Sequence, residues 1–141
     1  MSRPTLAMAR LLAPLVLIAL ASGCNSGRSP VTGRVTYDDG SPVAGGTVIA
    51  EATIDGKLVG VQANIEGDGT FRWGTEQPGD GALPGTYRVL LMPVALSDFD
   101  LAAGKKVAIG SKYATFETSG ITFEVKPGRN ELKISISKPG Q

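Results

Sequence analysis

Side chains able to do chemistry near neutral pH are scarce in this 141-residue chain, which has no histidine and one cysteine, Cys24. Without imidazole, neither a Ser-His-Asp nor a Cys-His arrangement can be built, and zinc sites made of His and Cys ligands are excluded too. Carboxylates remain, at Asp38, Asp39, Asp68, Asp80, Asp98 and Asp100. Two of them could flank a glycosidic bond as acid and base, or several could hold calcium. The surrounding residues point elsewhere. Asp38-Asp39-Gly40 and Gly67-Asp68-Gly69 are turn patterns, in which Asp accepts from backbone just ahead of it and Gly takes positive φ. Asp98-Phe99-Asp100 has the alternation of a calcium loop but lacks the Gly and closing Glu of an EF-hand. No catalytic residue, cofactor or metal ligand is assigned, and an enzyme working on carboxylates alone ranks third among the readings.

Elements that could position these groups begin after an N-terminal segment of another kind. Arg3 and Arg10 precede the apolar run Leu-Leu-Ala-Pro-Leu-Val-Leu-Ile-Ala-Leu at 11–20, and the small residues Ala21, Ser22 and Gly23 lead into Cys24. This is the order of a cleavable signal peptide, and Pro14 interrupts a run already too short to span a bilayer. Leu20-Ala21-Ser22-Gly23-Cys24 resembles a bacterial lipobox, with Ala21 where Leu is commonest. The resemblance implies cleavage before Cys24 and acylation of its thiol, a membrane anchor that leaves no free thiol in an exported chain. The organisation expected is a signal peptide over 1–23, a lipidated cysteine and polar tether over 24–30, and one domain over 31–138. Asn25 stands where some bacteria place an Asp for inner-membrane retention, which points to the outer membrane.

From Val31 onward, short alternating runs are separated by Gly, Pro, Asp and Asn clusters, the pattern of an all-β sandwich or barrel. Val31, Gly33, Val35 and Tyr37 share one face, as do Val48, Ala50, Ala52 and Ile54 in a strand over 46–54; Asp55-Gly56 then predicts a tight hairpin. Residues 58–66 put Val59, Val61, Ala63 and Ile65 together, and Phe71 and Trp73 follow in phase as core aromatics. Residues 85–94 are apolar on both faces, which suits a central strand. Ile121, Phe123 and Val125, the turn at 127–130, and Leu132, Ile134 and Ile136 predict a terminal antiparallel hairpin. Between these lies an irregular stretch, 95–112, with a helical turn or two over 96–103. Its Asp98, Phe99 and Asp100, with Tyr113 and Phe116 flanking it, form the candidate interaction surface.

Three stretches carry a likeness to a known family: the strand, turn and second strand of Gly33-Arg-Val-Thr-Tyr-Asp-Asp-Gly-Ser-Pro-Val-Ala-Gly46, the hairpin Gly67-Asp-Gly-Thr-Phe71, and the strand entry Leu83-Pro-Gly-Thr-Tyr-Arg-Val89. Their order resembles the carboxypeptidase regulatory-like or transthyretin-like domain, and residues 112–128 are similar to the endings of small transthyretin-like lipoproteins of planctomycete bacteria. The resemblance implies a seven-strand antiparallel, prealbumin-like β-sandwich on the cell envelope. Because these motifs are turn glycines and core aromatics, they speak to fold and leave activity open. Transthyretin-like hydrolases of the purine pathway rely on histidines, which this chain lacks.

Of 14 Lys and Arg, Arg3 and Arg10 fall in the export segment, leaving 12 against 13 acidic residues and no clustered basic face for nucleic acid. The expected function is an envelope-anchored, non-catalytic β-sandwich acting as a structural or protein-interaction module, partnered by the membrane through Cys24 and by an unidentified envelope protein. The alternative is a carbohydrate-binding module whose partner is a surface polysaccharide.

Overall fold

The computed structural model describes residues 26–140, so the signal segment expected over 1–23 and the acylation site Cys24 lie outside them. The described residues form seven strands: β1 Val31–Tyr37, β2 Thr47–Ile54, β3 Lys57–Asn64, β4 Thr70–Arg72, β5 Gly85–Met92, β6 Ile121–Val125 and β7 Asn130–Ile136. Between β5 and β6 stand two short α-helices, α1 Asp98–Ala102 and α2 Phe116–Ser119, with a 3-10 turn at Ser111–Ala114 before the second. The strands make two sheets, in the orders β4-β1-β7 and β3-β2-β5-β6. This is an all-β sandwich, as the period-two patterning implies.

Local sequence accounts for most of these elements. The β2–β3 hairpin turns on Asp55 and Gly56, both left-handed at φ 51° and 75°, the mirror-image turn whose twist matches the strands it joins. Strand β5 sits between β2 and β6 and is buried on both sides at its far end, where Leu90 is covered from outside by the 3-10 turn and α2 while Leu91 faces the core. Ser119 fixes that cover by donating its hydroxyl to the carbonyl of Val89 at 2.5 Å.

Two features depart from expectation. Residues 121–136 do not form a hairpin: β6 pairs antiparallel with β5, and β7 crosses to the other sheet and lies parallel to β1, Val31 opposite Asn130 through Tyr37 opposite Ile136. Alternation gives the face that a strand buries and says nothing about its neighbour, so two amphipathic strands joined by a turn fit a crossover as well as a hairpin. The crossover is closed by a side chain. Asn130 accepts from the Lys126 N–H at 2.9 Å and donates to the carbonyls of Lys126 and Gly128 at 2.8 and 3.0 Å, while its own N–H reaches Pro30. The sandwich is thus antiparallel except for the β1–β7 pair. The second departure is in the stretch expected as a tether, where Ser29 is buried and exchanges backbone hydrogen bonds with Ala82 at 2.8 and 3.0 Å. Docked chain therefore begins by residue 29.

The core is built around Trp73, fully buried, with Tyr87 at 5.4 Å between ring centroids and Phe123 nearly perpendicular at 5.9 Å. Each such ring contributes roughly 2–3 kcal/mol through buried area, and the edge-to-face geometry adds to it. Tyr87 keeps its polar end satisfied by donating to the Leu83 carbonyl at 2.9 Å; burial pushes its phenol above the ordinary value, and it stays neutral.

Opposite Phe71, Gly33 is the inward position of β1 that carries no side chain. A Cβ there would lie 2.2 Å from the Phe71 ring and 2.4 Å from the Leu132 carbonyl oxygen. Both neighbours are held by pairing in the same sheet, so neither can withdraw cheaply. Gly33→Ala is expected to cost about 3 kcal/mol, read as a lower urea midpoint with an unchanged slope; wild-type stability in that variant would show that the sheet yields there.

Candidate interaction surface

The stretch between β5 and β6 is rooted and then projects. Ile109 is buried at its base, where the Tyr37 hydroxyl donates to the Ala108 carbonyl at 2.7 Å. Beyond this root, α1 is held at both ends by its own residues. At the start, Ser97 and Asp100 cap each other: the Ser97 hydroxyl accepts from the Asp100 N–H at 3.2 Å, and the Asp100 carboxylate accepts from the Ser97 N–H at 3.1 Å. At the end, Gly104 turns left-handed at φ 77°; its N–H reaches Leu101 and the Lys105 N–H reaches Asp100, which satisfies the last carbonyls. Lys105 adds a 2.6 Å contact to the same Asp100 carboxylate.

None of the five residues of α1 is buried. Phe99 is 80% and Leu101 55% exposed, Val94 at 56% and Val107 at 41% belong to the same excursion, and Met92 at 42% ends β5 just before it. Isolated exposed apolar residues are ordinary, but several on one excursion, with polar residues between them, make it the candidate contact surface. The sequence pattern points to Phe99 and places Met92 with Leu90 on one face of a strand, but passes over Val94, Leu101 and Val107, whose signal is apolar residues with no phase relation to any strand.

The other expected members fall in different places. Asp98 and Asp100 are two apart on a helix, so their side chains diverge, and Asp100 is occupied by its cap and by Lys105, which holds its carboxyl below the ordinary range. Phe116 is half-buried on the outer face of the four-stranded sheet, under the Arg88 guanidinium at 5.2 Å, and Arg88 in turn pairs with Glu51. Tyr113 is not on the surface. It is 7% exposed, because the 3-10 turn rolls its ring inward behind Ile109, and its hydroxyl accepts from the Ser137 N–H at 3.0 Å. A ring that follows an irregular stretch has no strand phase from which to read this.

Carboxylates elsewhere serve turns. Asp39 accepts from the Ser41 N–H and hydroxyl, Asp68 does the same for Thr70, and Asp38 accepts from Ser135. Asp80 gathers the N–H groups of Thr75, Glu76 and Gln77 at 2.6, 3.2 and 3.1 Å and pairs with Arg28 at 3.1 Å. Among the described residues no three His, Cys, Asp or Glu converge as metal ligands.

These contacts define a two-sheet β-sandwich carrying an exposed apolar excursion whose helix is capped at both ends. Compared with protein-family models, with curated proteins and with solved structures, the chain gives no match in any of the three.

The capping contacts make stability fall in acid. Hydrogen bonding from Lys138 and then Ser41 lowers Asp39, Thr70 lowers Asp68, and Lys105 and then Ser97 lower Asp100. At Asp80, burial pushes the carboxyl up, but the three N–H groups and Arg28 outweigh it and leave it lowered. A lowered folded value stabilises fully above the unfolded carboxylate range, near pH 4, and the contribution disappears as pH falls through the folded values. Asp39 and Asp68 are open to solvent and contribute little, and Asp80, which accepts three backbone N–H groups against one at Asp100, dominates. Urea midpoints should fall from about pH 4 to pH 2 and fall less steeply in Asp80→Asn; equal slopes would remove Asp80 from that role.

Proposed function

We infer that the chain is an exported, envelope-anchored lipoprotein whose transthyretin-like, carboxypeptidase regulatory-like sandwich is non-catalytic and presents the 93–108 excursion to a protein partner. The observation that carries this reading is the exposed apolar set on α1 and its flanks, presented on a helix capped at both ends with no side chain buried. The ends of the sandwich support it. The described chain enters β1 at Val31, opposite Asn130, whereas the excursion is rooted by Tyr37 at the other end of the same strand. Seven residues of strand separate the two by about 20 Å.

Lipidation at Cys24 rests on the lipobox-like sequence. With Ser29 docked, the reach from Cys24 to Arg28 is at most about 14 Å. An anchor there holds the Arg28 end against the bilayer and directs Phe99 away from it, toward other envelope components of the outer membrane.

Intact mass of protein purified from its native membrane tests the anchor: a chain starting at Cys24 with added acyl mass is expected, lost in Cys24→Ser, and an unacylated soluble chain refutes it. The surface is tested separately by cross-linking in native membranes. Phe99→Ser with Leu101→Ser should abolish the adduct while changing stability by less than about 0.5 kcal/mol per site, since neither side chain is buried. An undiminished adduct would place the partner elsewhere.

A further inference from the structure

A second feature is lined by no residue of α1 or of the 93–108 excursion. A groove of about 570 Å³ runs between β3, the β3–β4 turn and the loop 74–79, a volume typical of small-molecule sites. We propose that this groove binds a short stretch of an uncharged saccharide chain, through the side-chain amides and charged groups of Gln62, Asn64, Glu66, Arg72 and Gln77 that line it.

The groove is built before any ligand arrives. Asp80 holds three successive N–H groups of the loop 75–77, Thr75 donates its hydroxyl to the Gly81 carbonyl at 2.7 Å, and Gly74 exchanges backbone hydrogen bonds with Gln62 at 2.9 and 3.0 Å. The loop is wound so tightly that a Cβ on Gly74 would lie 2.2 Å from the Gln77 carbonyl oxygen. Such a wall loses little freedom when a ligand binds.

What faces into the groove is hydrogen-bonding capacity left unused within the protein. Among the described residues, no hydrogen bond or ion pair engages the side chains of Gln62, Asn64, Glu66, Arg72 or Gln77, whereas Glu76 is taken by Arg28 at 2.8 Å. Three primary amides each offer donors and an acceptor, the combination that suits hydroxyls able both to donate and to accept. Glu66 and Arg72 balance in charge, and Glu76 and Asp80 share Arg28, so the site carries one net negative charge, which disfavours an anionic ligand.

An extended peptide fits less well. The backbone edge of β3 at Gln62 is consumed by Gly74, and the Glu66 N–H by the Thr70 carbonyl, so no free ladder meets an added strand here. Of the apolar liners, Ala63 and Phe71 are 8% and 2% exposed, and Pro78 is the one open to solvent. Recognition therefore falls mainly to polar side chains, with the Pro78 ring as the apolar contact, and a polyhydroxylated ligand matches them.

The test uses isotope-labelled full-length chain in a phosphocholine detergent, which carries no sugar, titrated with cellohexaose, maltohexaose and the hexamer of N-acetylglucosamine to about 10 mM. At least one should shift the amides of Gln62, Asn64 and 74–79 saturably, and Gln62→Ala with Asn64→Ala should weaken it about tenfold. Both residues are exposed, so an unchanged unfolding midpoint will show that the variant is folded. The proposal is overturned if no glycan moves these amides, if the shifts fall on Phe99 and its neighbours, or if an uncharged hexapeptide binds equally well. The groove amides and those around Phe99 are read separately and neither readout depends on Cys24, so this site and the protein-partner surface can fail independently.

Discussion

Strand β1 has both edges occupied, antiparallel by β4 and parallel by β7, and the rest of the sandwich is arranged around that double pairing. The parallel partner comes from the end of the described chain, so the first and last strands must meet before the three-stranded sheet exists, and the loop-closure entropy is met late. Gly33 is the point on which the pairing turns. Its missing side chain admits the Phe71 ring, which fixes the register of β4; two residues on, Trp73 then falls between Tyr87 and Phe123, where the second sheet closes over it. From Trp73 the chain goes straight into the loop that Asp80 organises. One absent methyl group thus connects sheet pairing to core packing and to the shape of the groove.

The two ends of the sandwich are held by different physics. Near Arg28, a carboxylate gathers backbone N–H groups and a guanidinium across 52 positions of sequence, tying the entering chain to the loop beside the groove. At the Tyr37 end, α1 relies on contacts within residues 97–105 and on nothing packed behind it. For stability alone, Phe99 and Leu101 could be polar, since exposed apolar side chains add nothing to the fold. Their presence on an element with both ends capped is a cost that folding does not explain and that contact with another surface would.

Much of this was legible before any coordinates. Strands whose inward residues alternate, such as 31–37 and 47–54, are read directly because period two survives whatever the neighbours are, and Asp55-Gly56 announces its hairpin because few residue pairs tolerate two left-handed positions. Partner choice was not legible. Residues 121–136 look like a hairpin because face and neighbour are independent properties, and the side chain of Asn130, which makes the turn a crossover, resembles any turn Asn. The groove was hidden for a related reason: Gln62 and Asn64 are ordinary outward positions of a strand, and only the path of the loop 74–79 brings Gln77 opposite them. Tyr113 misled because the 3-10 turn that buries it has no periodic signature of its own.

The proposed contact surface on the capped excursion and the proposed ligand groove walled by a pinned loop share one economy. Each is stiffened by side chains that satisfy backbone N–H groups, Asp100 with Ser97 in one and Asp80 in the other, so neither has to become ordered when something binds. The carboxylates that first suggested catalysis are spent on this stiffening: a carboxylate already accepting two or three N–H bonds and held below its ordinary titration range is a poor proton donor or acceptor at neutral pH. Asp39, Asp68, Asp80 and Asp100 therefore act as backbone anchors. In the proposed readings, binding falls instead to the polar and apolar side chains that such anchors hold in place.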